Sequence, residues 1–292
     1  MDPAAYLRRI GFDGTPRADL DTLRAVQAAH LAAVPYENLD IQLGAPPSIA
    51  PAAIFDKIVR RGRGGYCYEL NGGLGHLLAA LGFRVTRIMA AVHFERWGDR
   101  AWGNHMALLV DLDGDRWLAD VGFGDGIHEP IPLRVGTYGH EPFRYGLERR
   151  GKLWRLVHHQ WGTAPDFYFT TVPRALDDFA PHHARLSTSP ESSFVKLLVV
   201  QQARRDHVAT LRGALLTRSG PAGRETRELT GTADFAALLA DDFGIRLDGL
   251  DVRRLWAGAR AQTDAWLAAQ VRPGRLGPPP HAGSVTSART AR

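Results

Sequence analysis

One cysteine in 292 residues decides where covalent chemistry could sit. Cys67 follows Gly62-Arg63-Gly64-Gly65 and precedes a leucine-rich run, which puts it at or near the start of a helix. Unpaired backbone N–H groups and the positive end of the helix dipole favour a thiolate there, and the thiolate is the nucleophilic form of cysteine. A free cysteine is more often a small buried hydrophobe, so both readings stand for Cys67 alone. A nucleophilic thiol also needs a base, oriented by a third group. Asn104 to Leu112 and Arg116 to Val121 flank Asp113-Gly114, a two-residue hairpin signal. With those two residues as the loop, Leu112 faces Asp115, Ala107 faces Asp120 and His105 faces Gly122. Asp120 then becomes the same-face diagonal neighbour of His105, roughly 7–8 Å away between backbones and within reach of an imidazole–carboxylate hydrogen bond. An odd-length loop or a bulge would undo this register. Cys67 as nucleophile, His105 as base and Asp120 as orienting carboxylate would make a complete triad. An ordinary strand histidine and a strand-end turn residue are the competing readings, and the hairpin by itself does not bring His105 to Cys67.

The elements that must hold these groups fall into three regions. Residues up to about 82 read as mostly helical. Asp19 to Ala33 carries apolar residues near helical spacing with Asp19 or Asp21 as cap, and Pro51 to Arg60 looks like a short helix with Pro in its first turn. Leu70, Leu74, Leu77, Leu78 and Leu81 mark one face of an amphipathic helix that Gly82 ends. The texture then turns to β, with short runs at Arg84 to Phe94, Asn104 to Leu112, Arg116 to Val121, Leu153 to His158 and Asp166 to Thr171. Ala180 to Pro190 reads as a Pro- and His-rich loop, Phe194 to Gln201 as a strand, and 232–243 and 251–270 as helices. No regular βαβα alternation is present, which argues for α+β and against a doubly wound sheet.

Composition narrows the class. At 45% hydrophobic and 23% charged residues the chain is globular, with material for a sizeable core. A lone cysteine excludes an intramolecular disulfide and any multi-cysteine metal site. The opening residues lack the basic start and apolar run of a signal peptide, and no apolar stretch approaches the roughly 20 residues that span a bilayer, so a cytoplasmic protein with no membrane partner is expected. Of the formal net charge of +5, Arg272, Arg275, Arg289 and Arg292 supply four. The body is thus near neutral, and nucleic acid is not an expected partner. Residues 272–292, rich in Pro, Gly, Ser and Ala, read as a disordered tail. His158-His159 and His182-His183 are adjacent pairs whose side chains would diverge on a strand, so no metal is expected.

Longer motifs add a resemblance. Arg63-Gly64-Gly65-Tyr66-Cys67-Tyr68-Glu69-Leu70-Asn71 is similar to the active-site segment of the arylamine N-acetyltransferase family. Val34-Pro35-Tyr36-Glu37-Asn38-Leu39, Asn104-His105-Met106 and Asp120-Val121-Gly122-Phe123-Gly124 continue it in family order, and Ser189-Pro190 with Ser192, Ser193 and Phe194 is a weaker match. The resemblance implies a helical N-terminal domain, an antiparallel β-barrel middle domain and an α/β C-terminal lid around a cysteine-protease-like Cys-His-Asp core. On that reading the domains are 1–83, 84–200 and 201–271. It implies ping-pong transfer from acetyl-CoA, through an acetyl-Cys67 thioester, to the nitrogen of an aromatic amine, hydrazine or arylhydroxylamine. Tyr36, Phe123 and Gly124 would line the acceptor pocket, and Phe194 would help seat the coenzyme. Arg63, Glu69, Asn71 and Glu37 are charged or polar beside an apolar helix and would form a supporting hydrogen-bond network, with Gly64 and Gly65 giving the turn backbone freedom. The sequence separates this activity poorly from that of a related macrolactam-forming amide synthase with a carrier-bound acyl donor, and it leaves homo-oligomerisation open.

Overall fold

The computed structural model describes residues 2–271, and the tail read in 272–292 lies outside them. The chain begins with α1 (Pro3–Ile10), α2 (Leu20–Ala33), β1 (Tyr36–Glu37), α3 (Leu39–Gln42), α4 (Pro51–Phe55) and α5 (Cys67–Ala80). Next come β2 (Arg84–Val92), α6 (Phe94–Trp97), β3 (His105–Leu112), β4 (Asp115–Ala119), β5 (Ile131–Pro132), β6 (Gly136–His140), β7 (Phe143–Arg150), β8 (Leu153–Val157) and β9 (Asp166–Phe169). The last part holds α7 (Ala180–Thr188), α8 (Ser193–Lys196), β10 (Val199–Ala203), β11 (Val208–Arg212), β12 (Leu215–Gly220), β13 (Gly223–Glu228), α9 (Thr232–Ala237) and α10 (Val252–Val271).

The expected α+β architecture is present. Strands β2 to β9 form an eight-stranded antiparallel sheet in the order β5-β4-β3-β2-β9-β8-β7-β6, curled into a nearly closed barrel. Side-chain alternation on β3 builds two cores at once. Leu108 and Val110 join the helical core, where Leu70, Leu74, Leu77 and Leu78 of α5 pack with Tyr6, Leu23 and Val26. Ala107 and Leu109 point the other way, into the barrel with Phe143, Leu156 and Phe167. Each fully buried leucine contributes about 1.5–3 kcal/mol at most, so the apolar stripe of α5 anchors the helix that begins at the cysteine. Asp19 caps α2 by accepting from the Thr22 N–H at 2.8 Å.

Two local readings need correction. Ala180–Thr188 is a helix rather than a loop, because Pro181 sits in the first turn, where its missing N–H costs nothing. The strand expected from Phe194 starts only at Val199, because Ser192 caps a helical turn over Ser193–Lys196. The chain also carries a second antiparallel sheet, β1-β10-β11-β12-β13, most of which short-range pattern did not reveal. Its edge strand comes from the N-terminal region: Tyr36 pairs with Gln201, and Tyr36 also bridges Gly65 in the turn before the cysteine. Among the described residues no helix is long and apolar enough to cross a membrane.

Candidate active site

Cys67 is the first residue of α5, held by a tight preceding turn. The Glu37 N–H donates to the Gly65 carbonyl at 2.9 Å, and the Glu69 carboxylate accepts from the Tyr66 N–H at 3.1 Å. The glycines here supply space rather than the backbone freedom expected of them. A Cβ on Gly64 would stand 1.9 Å from the Pro35 carbonyl oxygen, and one on Gly65 would stand 2.7 Å from Glu69 Cβ. Positive φ in this stretch belongs to Gly62, at +59°.

The hairpin adopts the expected register. Asp113 and Gly114 take φ of 51° and 84°, as a tight two-residue turn requires, and Leu112 pairs with Asp115. Regular pairing ends at Leu108–Ala119, and just beyond it His105 Nε2 meets Asp120 Oδ2 at 2.6 Å. The other carboxylate oxygen accepts from Asn71 Nδ2 at 2.7 Å and from the Gly122 N–H at 2.8 Å. Asn71 also donates to the Met106 carbonyl at 2.6 Å and accepts from the Val121 N–H at 2.9 Å. It lies four residues after Cys67, on the same helix face, so this one amide fastens the cysteine helix to both strands of the hairpin. Gly122 permits that approach, since a Cβ there would lie 2.8 Å from Cys67 Cα.

Cys67, His105 and Asp120 are all buried, at 2%, 2% and 0% exposure. The Cys67 thiol donates to the Asn104 carbonyl at 3.8 Å, and Cys67 and His105 line the same cavity. With Nε2 held by Asp120, Nδ1 is the ring nitrogen left for the sulfur. Burial opposes a charge on the ring, but the Asp120 charge and hydrogen bond, with a smaller pull from Cys67, hold His105 well above its usual 6.5, at about 10.

Behind the cysteine turn lies a buried charge cluster. Arg63 Nη2 pairs with Glu37 Oε1 at 3.1 Å and Asp40 Oδ1 at 3.2 Å. Lys57 Nζ reaches Glu69 at 2.8 Å, Asp40 at 2.9 Å and Glu37 at 3.5 Å. Sequence reasoning found Arg63, Glu37 and Glu69 but missed Lys57 and Asp40. The signal was available: two buried acids and one base leave a charge unbalanced, and Lys57 lies one helical segment upstream. Three carboxylates still exceed two cations, and burial, with Lys57 opposing it and Glu37 adding to it, pushes Glu69 up to about 7. Removing the shared ammonium as Lys57→Met is expected to cost about 3–5 kcal/mol, since three carboxylates would be left with one guanidinium. Urea unfolding measures this, and a loss below about 1 kcal/mol would mean that the cluster is not held by Lys57.

The sulfur opens into a cavity of about 170 Å³. Tyr36, Phe123, Gly124 and Phe194 line it with Cys67 and His105, while Arg63, Glu69, Asn71 and Glu37 stand behind the wall. Tyr66, Tyr68, Phe179 and Leu186 pack around the cysteine, and His183 of α7 hydrogen-bonds the Tyr66 hydroxyl. Asp125, Gln201 and Arg212 also line the cavity; Gln201 and Arg212 were not anticipated, because they come from the second sheet. His158 and His159 do not diverge. They follow the end of β8 in a turn, with ring centroids 4.3 Å apart. Among the described residues no group of three or more His, Cys, Asp or Glu is arranged to hold a metal ion.

Helices, an antiparallel barrel and a smaller second sheet surround a buried Cys–His–Asp constellation, a set of side chains whose chemistry suits acyl transfer. A family model described as N-acetyltransferase matches residues 19–252. The chain belongs to the arylamine N-acetyltransferase family, and the relatives agree. It is 39% identical to an arylamine N-acetyltransferase of Mycolicibacterium smegmatis over 88% of this chain and 96% of that one. It is 35% identical to one of Mycobacterium bovis over 87% and 92%. The structure of the Mycobacterium marinum arylamine N-acetyltransferase in complex with CoA superimposes with a TM-score of 0.82 at 33% identity, covering 88% of this chain and 98% of that one.

Proposed function

We propose that this protein moves the acetyl group of acetyl-CoA to the nitrogen of arylamines, arylhydrazines or arylhydroxylamines through an acetyl-Cys67 thioester. The observation that carries the reading is an imidazole bonded to a buried carboxylate and lining one cavity with the only cysteine of the chain. In this scheme His105, which the Asp120 charge keeps protonated, faces the reacting sulfur as imidazolium, and the thiolate is the attacking form. The thiolate attacks the thioester carbonyl of acetyl-CoA, with the N-terminal end of α5 offering positive potential to the oxyanion. As the tetrahedral intermediate collapses, the His105 proton passes to the departing coenzyme sulfur, leaving a neutral imidazole and acetyl-Cys67. An acceptor amine then attacks the acetyl carbon. His105 takes the amine proton, and expulsion of the Cys67 thiolate restores the pair.

Asn71 and Gly122 act as positioning residues in this scheme, through Asp120. Tyr36, Phe123 and Gly124 form the acceptor walls, and Phe194 helps seat the coenzyme. A coenzyme complex of a relative with the same fold supports acetyl-CoA as the donor. A cytoplasmic setting, where acetyl-CoA is available, fits this reading.

Incubation with acetyl-CoA and no acceptor is expected to add one acetyl group, mapped to Cys67 by peptide mass spectrometry. Addition of an arylamine should then discharge it. An unmodified Cys67, with acyl transfer seen only from a carrier-bound donor, would overturn this reading in favour of amide synthesis.

A further inference from the structure

The second sheet presents an arginine to the catalytic cavity. Val199 pairs with Arg212 and Gln201 with Thr210 across β10 and β11, so these four side chains share one face. The intervening Val200 and Leu211 point the other way, into the core that holds Phe235 and Phe243. Register alone therefore aims Arg212 at the cavity, and Val199, Gln201 and Arg212 all line it with Cys67.

Arg212 is the wall's unsatisfied charge. Among the described residues its guanidinium has no hydrogen bond or ion pair, and the residue is half-buried in the cavity wall. The polar groups around it make their own contacts. Gln201 Nε2 donates to Thr210 Oγ1 at 3.1 Å. Asp125, the acid whose charge acts on Arg212, accepts from the Thr163 N–H through Oδ2 and faces His158 Nε2 at 3.5 Å through Oδ1. Arg63, by contrast, is paired with two carboxylates. The planar fork of a guanidinium matches a carboxylate or a phosphate, and a partly buried one strengthens such a pair.

We infer that Arg212 is the anion-recognition residue of this cavity, pairing with an oxyanion carried by a substrate. The inference rests on the proposed acetyl transfer, and two oxyanions then qualify: a carboxylate on the aromatic acceptor, or a phosphate of the coenzyme. Arg212 lines the same small cavity as the reacting sulfur, whereas the coenzyme's phosphates lie beyond its pantetheine arm. The acceptor carboxylate therefore fits better.

The test compares 4-aminobenzoate with 4-methylaniline, two acceptors of similar size that differ in charge. Arg212→Gln is expected to lower the ratio of their kcat/KM values by about 10–100-fold, the worth of a charge-assisted hydrogen bond, with Arg212→Lys recovering part of it. Benzoate should also slow alkylation of Cys67 by iodoacetamide in the wild type more than benzamide does. Arg212→Gln should erase that difference. This readout needs no acetyl transfer, so it separates failure of the inference from failure of the parent reaction, which wild-type turnover of 4-methylaniline reports. A higher KM for acetyl-CoA in Arg212→Gln, with an unchanged acceptor ratio, would keep the role and make a phosphate the oxyanion. An unchanged acceptor ratio, equal protection by benzoate and benzamide, and an unchanged KM for acetyl-CoA would overturn it.

Discussion

Cys67→Ala is expected to eliminate acetyl transfer, with kcat/KM falling by at least about 10³-fold, because no other group in the cavity can form the acyl intermediate. The imidazole alone would be left to assist direct attack of the amine on acetyl-CoA, a reaction that lacks both the activated sulfur and its alignment. The protein should remain folded. Cys67 packs among Tyr66, Tyr68, Met106, Phe179 and Leu186, so loss of one sulfur atom removes a modest contact of about 1 kcal/mol together with a weak thiol donor toward the Asn104 carbonyl. Cys67→Ser is the sharper variant. It preserves the shape of the site and a donor toward the Asn104 carbonyl, yet a serine hydroxyl beside the same imidazole is a far weaker nucleophile. Both variants should show no mass gain with acetyl-CoA and no turnover of an arylamine, at an unfolding midpoint close to wild type. Turnover within tenfold of wild type in the alanine variant would remove the thioester from the mechanism.

Much of this site was legible in the sequence because its critical step is local. Asp113-Gly114 sets the turn, the turn sets the pairing, and the pairing places His105 beside Asp120 with no information from elsewhere in the chain. How the cysteine reaches that hairpin is a different kind of fact. It depends on Asn71, whose amide bridges α5 to Met106, Asp120 and Val121, and on Gly122, whose missing side chain admits the helix. An asparagine four residues after a cysteine carries no sign of which distant strand it will bind, and here the family motif supplied what spacing could not. Gly64 shows the same limit. A glycine is visible in the sequence, but whether it gives φ freedom or room for a neighbour depends on where the Pro35 carbonyl lies. The second sheet was the least legible part. Its β13 is exposed throughout and carries no apolar alternation, and its first strand is two residues from the opposite end of the chain. Arg212 was missed for that reason, since nothing short-range tells a cavity-facing arginine from a solvated one.

Asp120→Asn should lower kcat/KM by about 10²–10⁴-fold while leaving the architecture in place, because the substitution reverses one hydrogen bond and preserves the others. An asparagine can keep its amide oxygen on Asn71 Nδ2 and the Gly122 N–H, the two donors that Asp120 Oδ1 now accepts. Its NH₂ must then point at His105 Nε2. That nitrogen would have to accept, so the ring proton moves to Nδ1, the nitrogen that should receive the proton from Cys67. Loss of the negative charge adds to the damage. Burial lowers the affinity of His105 for its proton, and the Asp120 charge is the main force raising it to about 10. Without that charge, burial prevails and the midpoint falls, toward or below the ordinary 6.5. The sign of the stability effect follows. A histidine raised on folding stabilises the native state fully below its unfolded pKa, and the contribution disappears as pH rises through the folded value. Wild type should therefore lose stability as pH approaches about 10, whereas Asp120→Asn should lack this loss and be relatively weaker near neutrality. Ring ¹⁵N shifts of His105 would report the charged imidazolium through neutral pH in wild type and a neutral ring in the variant. A variant whose His105 stayed charged at neutral pH, with acetyl transfer near wild type, would show that Asp120 neither holds the proton nor sets the tautomer.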